Sequence, residues 1–258
     1  MTFPDFTTVV GVDAIHLEQL QLVWPTWRKH KPDLLKHPMV IFFDPCQVSY
    51  ADARCATDHP DVRVYPWSVQ DYDGGDDKWT NPQRYKMLAG HVYVPARLVQ
   101  TEYWLKIDTD TVATGCPEWI DPGWFASEPA IISQPWGYTK PADQIQQLDN
   151  WADEFRFALF PKPPLDLPVE PGGSLVRHPR IISWIGFFRT APFGIDAAKW
   201  ASLSCGYGKL PVRSQDGYHW YYATRMGWEI QRHDFKRRGW EHHSRLRTIR
   251  ESVRRAME

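Results

Sequence analysis

The chain has 258 residues, with 30 Lys+Arg against 31 Asp+Glu and a formal net charge of -1. At 43% hydrophobic and 24% charged it is too apolar for a disordered chain, and it is long enough to bury a core without disulfide staples. Its longest apolar runs, 39–43 and 181–188, fall far short of the ~20 residues a membrane span needs. The opening MTFPDFTTVV lacks the charged-then-apolar order of a signal peptide. Cys46, Cys55, Cys116 and Cys205 form no CxxC pair and no zinc spacing, so they read as reduced thiols of a cytoplasmic protein.

In chain order, TTVVGV (7–12) is a β-branched run suited to a buried strand. From Glu18 to His30, apolar residues recur at helical spacing, with Pro25 expected to kink or interrupt the helix. MVIFF (39–43), running into Asp44-Pro45, reads as a second buried strand, and 62–65 as a short third. A helix is expected after Asn81-Pro82, because proline suits a first helical turn. EYWLKI (102–107) is a strand that leads directly into Asp108-Thr109-Asp110. Alternation of strands and helices over 7–110 predicts an α/β fold, a mostly parallel sheet flanked by helices.

The second half is less regular. Strands are expected at 130–134 and 181–189, a proline-rich loop at 160–173, and a helix at 216–226. A basic amphipathic helix is expected over 241–257, with Leu246, Ile249 and Val253 on one face. The whole chain is read as one domain, with a first half at 1–115, a second at 116–240 and the basic helix at 241–258. Charge is uneven: residues 232–258 carry nine Lys/Arg against four Asp/Glu, a net of +5, which leaves -6 for the rest. No nucleic-acid-binding module surrounds the basic tail, so no nucleic-acid partner is expected. A solvated helix is the default, and a peripheral contact with anionic lipid is the alternative.

In open α/β sheets, ligands collect at the carboxyl ends of the strands. Asp13, Asp44 and Asp108/Asp110 all stand at expected strand ends. Side chains two apart on a strand share a face, so Asp108 and Asp110 can converge where the strand leaves the sheet. Close carboxylates repel unless a proton or cation lies between them. Oxygen ligands suit Mn2+ or Mg2+ better than zinc. The competing reading is a solvated turn. An acidic loop around Gly74-Gly75 (Asp71, Asp73, Asp76, Asp77) lacks the spacing of a calcium loop.

With its apolar strand, its preceding helix and its DxD, the segment NPQRYKMLAGHVYVPARLVQTEYWLKIDTDTVA resembles the corresponding block of the GT-A nucleotide-sugar glycosyltransferases. The resemblance implies a GT-A, Rossmann-like fold and a donor of the UDP- or GDP-sugar type. It implies that Asp108 and Asp110 hold a divalent cation against the donor diphosphate. The acceptor would be a glycan, a glycolipid or other lipid-linked acceptor, or a small molecule.

Ser214-Gln215-Asp216-Gly217-Tyr218 resembles the late acidic motif of that family, which makes Asp216 the catalytic residue facing the acceptor hydroxyl. The bland reading of Asp216 is a helix N-cap. His233, with Lys236 downstream, is similar to the family's C-terminal His and Lys; these would supply a third metal ligand and a diphosphate contact. The spacing departs from the family's, and His242 and His243 compete for the ligand role. Arg84 and Lys86 are read as phosphate contacts, and Asp44 as a nucleobase or donor contact. Trp136, Tyr138, Trp184 and Gly186 are read as the acceptor cleft, since aromatic faces stack on sugars and glycine permits close approach. The 14 Trp suit such a cleft, although most are expected in the core. The alternatives are a glycoside hydrolase with paired carboxylates and a non-catalytic carbohydrate-binding protein. A sugar nucleotidylyltransferase would need a Gly-rich phosphate loop after the first strand, where this chain has Asp13-Ala14-Ile15-His16.

Overall fold

β-Branched and aromatic runs build the centre of the sheet. Strands β1 (Phe6–Val12), β2 (Met39–Phe43) and β4 (Tyr103–Ile107) are buried along almost their whole length, the pattern of strands covered on both faces. They and β3 (Val62–Pro66) come from the first half of the chain. The second half contributes β6 (Ile131–Pro135), β9 (Ile181–Arg189) and β10 (Ile230–Arg232). The computed structural model describes residues 4–66, 98–135, 138–141, 175–178, 181–192 and 223–258, and of these 138–141, 175–178 and 181–183 enter by backbone alone.

Among the described residues the seven strands form one sheet, ordered β10-β6-β9-β4-β1-β2-β3. β4, β1, β2 and β3 are mutually parallel, as are β6 and β10, while β9 runs antiparallel between β4 and β6. Two small sheets accompany it: β5 (Thr111–Ala113) with β11 (Trp240–His242), and β7 (Tyr138–Pro141) with β8 (Leu175–His178). The strands expected at 7–12, 39–43, 62–65, 102–107, 130–134 and 181–189 are present within a residue or so. The expected second helix after Asn81-Pro82, the loop at 160–173 and most of the helix at 216–226 lie outside the described residues.

Helix α1 (Ala14–His30) starts earlier than its apolar pattern and continues through Pro25 without interruption. Proline removes one backbone donor, but Trp24 and Trp27 on either side anchor the helix to the body. Trp24 Nε1 donates to Asp58 at 2.6 Å and Trp27 Nε1 to the carbonyl of Thr111 at 2.6 Å. Thr26 Oγ1, which itself donates to the Val23 carbonyl, accepts the Ala113 amide. Thus α1 grips β5, the strand directly after the DxD.

The expected helix over 241–257 is corrected. Glu241 and His242 belong to β11; with the short helix α2 at Tyr50–Arg54, the C-terminal helix is α3, which begins at Leu246 and ends at Met257. Ile249, Ser252 and Ala256 are its buried residues, with Leu246 and Val253 half-buried against the core. Lys29 and His30 from α1 reach the carbonyls of Ala256 and Met257, which satisfies free acceptors at the C-terminus of α3. Part of its positive charge is answered within the fold, by Arg250–Glu18 and Arg255–Glu241 pairs.

Seven of the tryptophans (Trp24, Trp27, Trp104, Trp119, Trp124, Trp184 and Trp240) are buried in the core. Trp104 stacks on Phe188 at 4.4 Å, joining β4 to β9; such a pair is worth ~1 kcal/mol beyond its buried area.

Candidate metal centre

The last residue of β4 is buried, and the chain emerges at Asp108. The Asp108 amide donates to the Trp184 carbonyl of β9 at 2.8 Å, and the Thr111 amide to the Asp108 carbonyl at 3.1 Å. Thr109, between the two acids, is buried and donates to Gln19 Oε1 of α1 at 2.8 Å. These contacts turn the chain so that both carboxylates face one point. β11 adds the third group. It pairs antiparallel with β5, with His242 opposite Thr111, and the His243 amide donates to the Asp110 carbonyl at 3.0 Å. His242 Nε2 lies 3.2 Å from Asp110 Oδ1, and the ring stacks on Trp184 at 5.6 Å.

Asp108, Asp110 and His242 therefore each offer a ligand atom within 4.8 Å of the others. Asp110 Oδ1 is buried and, among the described residues, accepts no well-formed hydrogen bond, although His242 Nε2 stands 3.2 Å from it. A buried carboxylate oxygen in that state costs stability unless a cation or proton answers it. Two carboxylate oxygens and an imidazole nitrogen are a donor set that fits Mn2+ or Mg2+.

Lys106 lies behind this group. It is fully buried, two residues before Asp108 on the same strand, with Nζ 2.6 Å from Asp108 Oδ1. Burial pushes the Asp108 carboxyl above its ordinary range; Lys106 opposes that rise and Asp110 adds to it. For His242, burial works downward, but the contact with Asp110 and the charge of both acids outweigh it, so the imidazole is raised.

Lys31 is a further residue the sequence did not single out. Fully buried at the end of α1, it donates to the carbonyls of Gly115, Cys116 and Arg238 and lies over the ring of Trp240 at 5.1 Å. It thus ties the segment after β5 to the turn before β11. That turn needs Gly239: its φ is +74°, and a Cβ there would clash with the Gly115 carbonyl oxygen.

The other expected residues are distributed as follows. His233 is not in the group: it stacks on Trp124 at 4.3 Å, contacts Gln231 Oε1, and is pushed down by burial. The reason is that it follows β10, beyond β6 in the sheet order, while among the described residues it is β11 that pairs with β5. His243 turns to Glu241 at 3.3 Å. Lys236 is exposed, its amide held by Asp234. Asp44 is buried at the end of β2, where its oxygens accept from the Cys46 amide and Gln47 Nε2 and so cap its own turn.

Trp184 is buried, with the His242 ring stacked on it. Gly186 sits inside β9 between Lys106 and Ser133, where a Cβ would meet Ser133 Oγ at 2.8 Å; its smallness serves the sheet. Tyr138 is on β7, described by backbone alone. Arg84, Lys86, Trp136 and Asp216 lie outside the described residues.

No protein-family model matches the chain, and a search of curated proteins finds no match. Solved structures do match. Core-mannan synthase A of Aspergillus fumigatus, in a Mn/GDP form, superposes with a TM-score of 0.59 at 11% identity, covering 92% of this chain and 74% of that one. A mannosyltransferase of S. cerevisiae in complex with GDP gives 0.54 at 8% identity, over 93% and 71%. The chain has the GT-A fold. The same fold reaches beyond glycosyl transfer: 4-diphosphocytidyl-2C-methyl-D-erythritol synthase of Anaerococcus prevotii gives 0.51 at 8% identity over 99% of both chains. Fold does not dictate chemistry, so the function has to be argued from the site.

Proposed function

We propose that this chain is a metal-dependent glycosyltransferase, which moves a sugar from a UDP- or GDP-sugar to a hydroxyl of a carbohydrate or lipid-linked acceptor. The observation that carries the reading is the convergence of Asp108, Asp110 and His242 at the carboxyl end of β4. A bound Mn2+ or Mg2+ would supply positive charge to the departing diphosphate. Asp110 and His242 hold that ion, and Asp108 contributes through a carboxylate already paired with Lys106. Arg84, Lys86 and Lys236 are assigned to the donor phosphates, Asp216 to accepting the proton of the acceptor hydroxyl, and Trp136 and Tyr138 to the acceptor sugar. The basic face of α3 is assigned a peripheral contact with anionic lipid, in keeping with a lipid-linked acceptor.

A nucleotidyltransferase shares the fold, but one feature speaks against it. The carboxylate of Asp13 already accepts the Ile15 and His16 amides at the start of α1. It takes the place at the helix N-terminus where a Gly-rich loop would present a phosphate. Calorimetric titration with UDP and GDP, with and without Mn2+, tests the proposal. Metal-dependent binding of one of them is expected; binding of neither overturns it.

A further inference from the structure

We propose that Glu241 is a positioning residue for His242: bonded to Ser252 of α3, it fixes β11 on β5 so that His242, and neither of its neighbours, meets Asp110. The inference rests on reading the site as one for a metal and a nucleotide. Backbone hydrogen bonds by themselves let a short strand slip, and a slip of one residue turns each side chain to the other face. β11 is such a strand, with Trp240, Glu241 and His242 opposite Ala113, Val112 and Thr111.

Side chains alternate along a strand, and those of β11 have different surroundings. Trp240 is fully buried, edge-on to Trp27 and Trp119. His242 goes to Asp110. Glu241, between them, turns to α3, where its Oε2 accepts from Ser252 Oγ at 2.6 Å and lies 3.4 Å from Arg255 Nη2. The same oxygen draws His243 Nε2 to 3.3 Å, away from the acids. Ser252 is fully buried on a helix face otherwise made of Leu246, Ile249, Val253 and Ala256. A hydroxyl there costs stability unless it is bonded, and a bond to a carboxylate is short and strong. A slip in either direction parts Glu241 from Ser252. One direction puts His243 opposite Thr111; the other puts Glu241 there, adding a third carboxylate to two that already repel.

Two measurements test this: amide hydrogen exchange of the metal-free chain, and nitrogen modulation of the electron spin echo of Mn2+ bound with UDP or GDP present. The His243 amide donates to the Asp110 carbonyl. It is expected to exchange about tenfold or more faster in Glu241→Ala than in the wild type, with the amides of β1 and β2 unchanged. Wild-type Mn2+ is expected to show an imidazole nitrogen that His242→Ala lacks, and Glu241→Ala to lose most of it. Glu241→Gln, which keeps an acceptor for Ser252, is expected to restore both readouts. A residue that only added stability would lower protection across the whole sheet and leave the nitrogen signal in place. An unchanged His243 amide or nitrogen signal in Glu241→Ala overturns the inference, and so does Glu241→Gln that behaves like Glu241→Ala. Wild-type Mn2+ without a nitrogen signal overturns it before any variant is made. Should Glu241→Ala not fold, Ser252→Ala, which removes the donor, is read in its place. Mn2+ that binds in no condition overturns the proposed function, and the amide exchange then decides alone whether Glu241 fixes β11.

Discussion

His242 Nε2 approaches Asp110 Oδ1 to 3.2 Å, although the two residues lie far apart in the sequence. Pairing of β11 with β5 makes the approach, and the stack of His242 on Trp184 orients the ring. The candidate metal group is thus completed by a three-residue strand that pairs with β5.

His242→Ala is expected to weaken Mn2+ binding by more than the 10- to 100-fold, roughly, that loss of a group behind a ligand costs. His233→Ala, next to Trp124, is expected to leave it unchanged. Isothermal titration of both variants with Mn2+ plus nucleotide checks this, and the reverse order would return the ligand role to His233.

Mn2+ affinity is also expected to fall with pH. His242 is raised above its ordinary 6.5, so the ion must displace a proton there. The loss should set in while the pH is still above the ordinary imidazole value, and Mn2+ titrations over falling pH would show it.

Gly239→Ala is expected to destabilise the fold by about 2 kcal/mol or more, since a left-handed φ and a backbone clash coincide at one residue. Urea unfolding measures the loss. Because Gly239 precedes β11, Mn2+ affinity should fall with it; intact affinity would show that the turn does not position His242.

Lys31 predicts a dependence of stability on pH. Burial pushes its ammonium from the ordinary 10.5 down to about 7, against a smaller upward pull from Cys116. Between those values the unfolded chain binds more protons than the folded one, so stability rises with pH across that window. Thermal unfolding of the wild type is expected to move upward from about pH 7 to about pH 9, and Lys31→Met to lose that slope. Equal slopes would exclude Lys31 as the source.

Gly186→Ala is expected to cost about 1 to 3 kcal/mol, through overpacking against Ser133. A drop in activity at unchanged stability would instead assign Gly186 to the acceptor side.

The sheet was legible because its cause is local. Apolar, β-branched runs such as TTVVGV and MVIFF bury on both faces wherever they lie, and Asp108-Thr109-Asp110 marks the end of such a run. The length of α1 was less legible, because Trp24 and Trp27 hold it across Pro25 through partners far along the chain. Lys106 carried a faint signal, a charge within an apolar strand whose spacing to Asp108 puts both on one face. Lys31 carried none, since its three carbonyl partners come from two distant turns.

By itself, the amino-acid sequence determined the fold and the two acids, through periodicity and the chemistry of neighbouring residues. The third member of the candidate metal group was decided by tertiary structure alone. His233, His242 and His243 are chemically alike and close together in sequence, and the apolar pattern of α3 hides the short strand before it. Which histidine meets Asp110 depends on a register, Thr111 opposite His242, formed by backbone hydrogen bonds between segments far apart in the chain. Backbone pairing of that kind takes almost any side chain, and so leaves no pattern in the residues that make it.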